Sequence, residues 1–150
     1  MKAITDNLLL IQAEQLCEQR SVRMTPLRME VLRLISQQNG AISAYDLLNL
    51  LRQSEPHAKP PTIYRALDFL REQRFIHRVE STNSFMLCHH LTEPLHTSVF
   101  FICDRCGLVT EQKTKNTKNI MKRMASTAGF FVFHTVMEVH GLCLSCHSAV

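Results

Sequence analysis

Two Cys-x-x-Cys pairs constrain the C-terminal part of this 150-residue chain more than any other feature. Cys103 and Cys106 form the first pair, Cys143 and Cys146 form the second, and 36 residues lie between the pairs. A Cys-x-x-Cys turn places two sulfurs on one side of a metal ion, and two such turns complete a closed tetrahedral zinc site. The cysteines therefore predict a structural zinc that joins two distant segments of one small domain.

Two redox-active dithiols are the alternative interpretation of the same cysteines. A redox Cys-x-x-Cys pair of the thioredoxin type opens a helix within a βαβ unit, and we expect neither pair to open a helix in such a context. A closed site with four cysteine ligands also leaves no open position for a substrate. We therefore expect a structural metal site and not an enzyme.

The composition suits a metal-binding protein of the cytoplasm. The chain has six cysteines and no recognisable signal peptide, so metal ligands or free thiols are favoured over disulfides. No apolar run approaches the length of a transmembrane helix. The formal net charge of +4 is too small to identify a nucleic-acid-binding protein by itself, so any such partner has to be inferred from particular residues.

The first 86 residues follow a helical pattern that ends in a hairpin. Four helices are expected, and Thr25-Pro26, Ser43 and Pro60-Pro61 mark the starts of the last three. Two short strands at residues 75–79 and 85–88 flank a polar turn. Three helices and a hairpin are typical of a winged helix-turn-helix, to which the first helix is an addition. The apolar residues expected to form the stripe of that first helix are Leu8, Ile11, Leu16 and Cys17.

The C-terminal segment has a pattern of strands around one helix. We expect strand 98–102, strand 108–111, helix 114–128 and strand 131–140. Ile120, Met121 and Met124 are expected to face inward from the helix. Phe131 and Phe133 are expected on the buried side of the last strand, which alternates between apolar and polar residues.

These patterns predict an α+β fold in two parts. The first part is a winged helix-turn-helix DNA-binding domain at residues 1–86, and a link at residues 87–95 follows it. The second part, residues 96–150, is a small α/β domain held together by the four-cysteine zinc site.

A second set of possible metal ligands lies outside the cysteine pairs. It consists of two imidazoles, one thiolate and one carboxylate, from His77, Cys88, His96 and Glu111. Such a set suits zinc, and its thiolate disfavours manganese and magnesium. Spacing alone leaves the alternative open that these are unrelated residues: a wing histidine, a buried cysteine, a loop histidine and a solvated glutamate.

The polar face of the predicted fourth helix carries side chains that can read DNA. Thr62, Tyr64 and Arg65 lie near its N-terminal end, where recognition helices contact bases. Arginine can bond to two atoms of guanine, and tyrosine can reach a phosphate or pack on a thymine methyl group. Arg23 and Arg28 belong to an earlier cluster of arginines and are further candidates for DNA binding. An ordinary solvated helix face is the alternative.

Together these residues resemble the ferric uptake regulator family over residues 5–147. The resemblance rests on the cysteine pairs and on three runs: Arg23-Met-Thr-Pro-Leu-Arg28, Ile42-Ser-Ala-Tyr45-Asp46-Leu and Lys59-Pro-Pro-Thr-Ile-Tyr64-Arg65-Ala-Leu-Asp68-Phe-Leu70. The zinc-responsive members look most similar. Iron-type members carry a His-His-Asp-His run shortly before the first cysteine pair, where this chain has His96-Thr-Ser-Val-Phe100. The extra metal site built from that run is therefore not expected.

The resemblance implies a homodimer, joined through its C-terminal domain, that binds an AT-rich palindromic operator when metal-loaded and represses zinc-uptake genes. It implies two zinc ions per protomer, one structural at the paired cysteines and one regulatory at His77, Cys88, His96 and Glu111. It also implies that Tyr45, Tyr64 and Arg65 contact DNA. The alternatives are a family member that senses iron, nickel, manganese or peroxide, a zinc-containing protein–protein adaptor that never touches DNA, and a zinc hydrolase.

Overall fold

Helices dominate the first of two units, Met1–Thr92, and a sheet dominates the second, Glu93–Val150. The computed structural model describes residues 2–93, 97–133 and 135–149. The predicted α+β class, with a helical N-terminal part and a small sheet in the C-terminal part, is confirmed. Among the described residues, no helix has the length and apolarity needed to cross a membrane.

The helix starts in the first unit agree with the capping residues of the sequence. Its helices are α1 (Lys2–Gln19), α2 (Pro26–Ser36), α3 (Ala44–Leu51) and α4 (Pro60–Glu72). The hydroxyl of Thr25 accepts a hydrogen bond from the backbone amide of Arg28 at 3.3 Å, and that of Ser43 accepts one from Asp46 at 3.1 Å. These bonds satisfy amides that have no partner within the helix.

A three-stranded antiparallel sheet completes the first unit. Its strands are β1 (Ile42–Ser43), β2 (Ile76–Val79) and β3 (Ser84–Leu87), in the order β1-β3-β2. A short 3₁₀ turn and Asn83, at φ 47°, connect β2 to β3. Asparagine tolerates this left-handed conformation better than most residues. The predicted hairpin is therefore present, and it places His77 opposite Met86.

The core of the first unit lies between α2, α3, α4 and the sheet. Its fully buried side chains include Leu32, Ile35, Leu47, Leu51, Ile63, Leu67, Leu70 and Phe75. Leu87, Cys88 and Leu91, which fall in the predicted link, are buried in the same core. The backbone amide of Cys88 also donates a hydrogen bond to the carbonyl of Phe75 at 2.9 Å.

Helix α1 presents a different face to this core from the predicted one. Leu9, Ala13 and Cys17 are buried, whereas Leu8 and Ile11 are exposed. The buried residues are four positions apart, so they lie on one side of the helix. The expected stripe was right for Cys17 and for Leu16, which packs against the core, and wrong for Leu8 and Ile11.

The second unit is a three-stranded sheet with two helices. Its strands are β4 (Thr97–Cys103), β5 (Val109–Thr114) and β6 (Glu138–Gly141), and its helices are α5 (Thr117–Ala128) and α6 (Leu144–Ser148). The central strand β4 pairs with β5 in antiparallel and with β6 in parallel orientation.

Two predictions about burial in this unit were wrong. Helix α5 buries none of its residues, and Ile120 and Met124 are exposed. The last strand begins only at Glu138, and Phe131 and Phe133 are 90% and 97% exposed. The predictions assumed that an apolar stripe is covered within its own chain, but no described residue of the unit covers these side chains.

Candidate functional site

The four paired cysteines meet at one end of the second sheet. Cys103 ends β4, Cys106 follows in the turn towards β5, and the parallel pairing of β4 with β6 places Gly141 beside Cys103. The second pair follows directly, with Cys143 at the N-cap of α6 and Cys146 within it. All four sulfurs lie within 4.8 Å of one another.

The second cysteine pair opens a helix, but that helix has five residues and follows a short strand, with no further strand among the described residues. It is not the helix of a βαβ unit, so neither pair opens a helix in a thioredoxin-like context, as expected.

The separation of the sulfurs fits zinc. Four sulfurs at the corners of a tetrahedron, each about 2.3 Å from a zinc ion, are about 3.8 Å apart. The Sγ atoms of Cys106 and Cys143 are separated by 3.8 Å. The donor set is closed, with four sulfurs and no place for a substrate, as a structural zinc site requires.

The electrostatics of the cluster favour a bound cation. Backbone amides, that of Cys143 first and that of Cys106 next, donate hydrogen bonds to the sulfur of Cys103 and lower the pKa of this thiol to about 6. Hydrogen bonding to the sulfur of Cys143, together with burial, raises the pKa of Cys146 to about 12. One thiol thus loses its proton readily while another retains it, and a divalent cation is what allows all four to ionise together.

The turn between Cys103 and Cys106 also contacts the segment that carries the second pair. The backbone amide of Asp104 donates to the carbonyl of Gly141 at 2.9 Å, and its carboxylate lies 2.9 Å from Nδ1 of His140. This carboxylate raises the pKa of His140. The guanidinium of Arg105 donates to the carbonyl of Cys146 at 3.0 Å. Sequence reasoning gave no role to Asp104 or Arg105, since only the cysteines of the motif carry a recognisable signal.

The structure describes three of the four residues in the second predicted ligand set. In the first unit, His77 on β2 and Cys88 just after β3 place a ring nitrogen and a sulfur within 4.8 Å of each other. Cys88 is fully buried, and its sulfur accepts a hydrogen bond from the backbone amide of His90 at 3.4 Å. In the second unit, Glu111 on β5 accepts a hydrogen bond from the hydroxyl of Ser98 at 2.5 Å. His96 lies outside the described residues.

The predicted DNA-reading side chains lie on the solvent side of α3 and α4. Tyr64 and Arg65 are exposed near the N-terminus of α4, and Thr62 is half-buried beside them. Tyr45, near the N-terminus of α3, is 74% exposed. The opposite face of α4 is buried in the core.

Arg23 and Arg28 differ in how far their side chains are exposed to solvent. Arg23 is exposed, whereas Arg28 is half-buried, with its guanidinium 3.8 Å from the ring centroid of Phe69 on α4. Arg28 also donates a hydrogen bond to the carbonyl of Arg23 at 2.6 Å. The guanidinium of Arg28 is thus held between α4 and the segment before α2.

Comparison with known proteins identifies the family. The family model described as "Ferric uptake regulator family" matches residues 19–140, which is most of the chain. This chain belongs to the ferric uptake regulator family. The resemblance that the motifs predicted is thereby confirmed.

Three similar proteins have high identity to this family member, and the descriptions of the first two name zinc. The "Zinc uptake regulation protein" of Escherichia coli (strain K12) is 60% identical over 146 residues, which is 97% of this chain and 85% of that protein. A solved structure described as "Zinc Uptake Regulator Complexed With Zinc AND DNA" is 59% identical, covers 96% of both chains and has a TM-score of 0.93. The "Crystal structure of holo XcZur" is 39% identical, covers 95% of this chain and 99% of that one, and has a TM-score of 0.87.

Proposed function

We propose that this member of the ferric uptake regulator family is a zinc-responsive transcriptional repressor. In this proposal it binds operator DNA as a zinc-loaded homodimer, represses zinc-uptake genes in the cytoplasm and is not an enzyme. The observation that carries the proposal is the 59% identity and TM-score of 0.93 to a zinc uptake regulator solved with zinc and DNA.

We propose two zinc ions per protomer, with separate roles. The first is structural and is held by Cys103, Cys106, Cys143 and Cys146, whose sulfur spacing fits it. The second unit has few buried side chains, and α5 and α6 contribute none. A unit of this size and burial gains folding free energy directly from the metal that it binds.

The second zinc is regulatory in this proposal and is held by His77, Cys88, His96 and Glu111. The proximity of the His77 and Cys88 donor atoms supports this assignment. The coupling of two ligands is reciprocal. If zinc raises the affinity of the protein for operator DNA by some factor, operator DNA raises the affinity of the protein for zinc by the same factor.

The first unit reads the operator in this proposal. Tyr64, Arg65 and Thr62 contact DNA from α4, and Tyr45 does so from α3. Arg23 contacts the phosphate backbone, while Arg28 positions Arg23 through its carbonyl. The exposure of Tyr45, Tyr64, Arg65 and Arg23 supports this division of roles.

The second unit forms the dimer interface. The side chains of Phe131 and Phe133 are almost fully exposed in the isolated chain, and the apolar residues Ile120 and Met124 of α5 are exposed as well. Large contiguous apolar surfaces on soluble proteins mark interfaces. A two-fold dimer matches a palindromic operator, here AT-rich, because each half-site meets the same surface of one protomer.

Zinc content per protomer tests the metal assignments. Wild-type protein is expected to hold two zinc ions after dialysis, measured by atomic emission against protein concentration. Cys143→Ser should lose the structural ion and weaken folding, and Cys88→Ser should lose only the regulatory ion. A folded Cys143→Ser variant that keeps both ions would contradict the structural site.

A further inference from the structure

The second cysteine pair lies on a segment that packs poorly against the rest of its unit. Helix α6 has five residues, and none of them is buried. Leu144, between the two cysteines, is 83% exposed. Hydrophobic packing therefore contributes little to holding Cys143 and Cys146 near the first pair.

Strand pairing positions Cys143 but ends before Cys146. The β4–β6 ladder extends to the Cys103–Gly141 pair, and the bond from the Asp104 amide to the Gly141 carbonyl continues it. The guanidinium of Arg105, in the first turn, donates a 3.0 Å hydrogen bond to the carbonyl of Cys146. This carbonyl lies in the last turn of α6, where helical carbonyls lack partners and a cation is favoured.

We infer that Arg105 is a positioning residue for the four-cysteine zinc site. Its guanidinium holds α6 against the first turn, so that the sulfur of Cys146 stays within reach of the other three sulfurs and of the zinc that they bind. Groups that orient metal ligands in this way commonly alter metal affinity by about 10- to 100-fold when removed. The inference rests on the proposed structural zinc, but it assigns a role to a side chain that is not a ligand.

The rate of zinc loss tests this role. Arg105→Met removes the guanidinium and keeps the length of the side chain, and Arg123→Met on α5 makes the same change of charge at another exposed position of the unit. Both substitutions are placed in a Cys88→Ser background, so that the zinc released to a coloured chelator comes from the four-cysteine site. Arg105→Met is expected to release zinc roughly tenfold faster or more, Arg123→Met at the rate of the background protein, and Arg105→Lys at an intermediate rate.

Cobalt substitution separates positioning from a change of ligands. The absorption bands of cobalt bound to four thiolates should be the same in Arg105→Met and in the background protein, because the ligands are unchanged. Equal release rates for Arg105→Met and the background, or equal acceleration by Arg123→Met, would overturn the inference and leave the zinc site standing. A background protein that holds no zinc at all would instead refute the proposed structural site.

Discussion

Replacing Phe133 with alanine is expected to dissociate the proposed dimer. Phe133 is 97% exposed in the isolated chain, so its removal leaves the fold of the protomer intact. If an interface covers it, Phe133→Ala removes roughly 100 Å² of buried apolar surface, or about 2.5 kcal/mol at about 25 cal/mol per Å². A two-fold interface contains the substitution twice, which brings the loss to about 5 kcal/mol per dimer and weakens dimerisation by roughly a thousandfold or more.

Sedimentation velocity over a series of protein concentrations measures this loss. Wild-type, zinc-loaded protein should sediment as a dimer, and Phe133→Ala should sediment as a monomer at the same concentrations with an unchanged circular dichroism spectrum. Leu8→Ala, which also removes an exposed apolar side chain but from α1, is the matched control and should remain dimeric. A Phe133→Ala dimer as tight as wild type would refute the placement of the interface.

Four further predictions concern DNA and sensing. Arg65→Ala should lose roughly 1–3 kcal/mol of discrimination between operator and mutated operator, and unchanged preference in a binding assay would mean that the reading face is misplaced. Cys88→Ser should keep the four-cysteine zinc and the dimer but lose zinc-dependent operator binding, and switching at the wild-type zinc level would place the sensor elsewhere. Arg23→Ala should reduce the slope of log affinity against log salt by about 0.9, as expected for one lost phosphate contact. Arg28→Ala should weaken binding without changing that slope, because its guanidinium is stacked on Phe69; an equal reduction in slope would show that Arg28 contacts phosphate itself.

Local signals were sufficient to predict most elements of the first unit. Thr25, Ser43 and the two prolines that begin α4 determine helix starts through local hydrogen bonds and backbone angles, and such effects can be recognised in a short stretch of sequence. The two-residue strand β1 was not predicted. Its pairing with β3 depends on a partner about forty residues away, which no local pattern specifies.

Burial in the second unit could not be predicted in the same way. The alternation around Phe131 and Phe133 and the helical stripe of Ile120 and Met124 show that these side chains are grouped, but not which surface covers them. Periodicity describes one element, whereas burial also depends on what packs against it, including surfaces outside the chain.

The zinc ligands could be predicted from the sequence, but the residue that positions one of them could not. The cysteine pairs could be recognised because the spacing of Cys103 and Cys106, and of Cys143 and Cys146, reflects the geometry of a metal ion. Arg105 has no such spacing, since it binds a backbone carbonyl, and every residue offers one. Only the fold shows which carbonyl lies within its reach.

Operator affinity measured against buffered free zinc tests the central claim most directly. An AT-rich palindromic duplex from a zinc-uptake promoter is titrated with the protein at fixed free zinc, over a range of zinc levels, with manganese and magnesium as parallel controls. A zinc-responsive repressor should gain affinity by several orders of magnitude over a narrow range of free zinc and should not respond to the two harder ions. Binding that is equally tight with and without zinc, or no binding to such duplexes at any zinc level, would contradict the account.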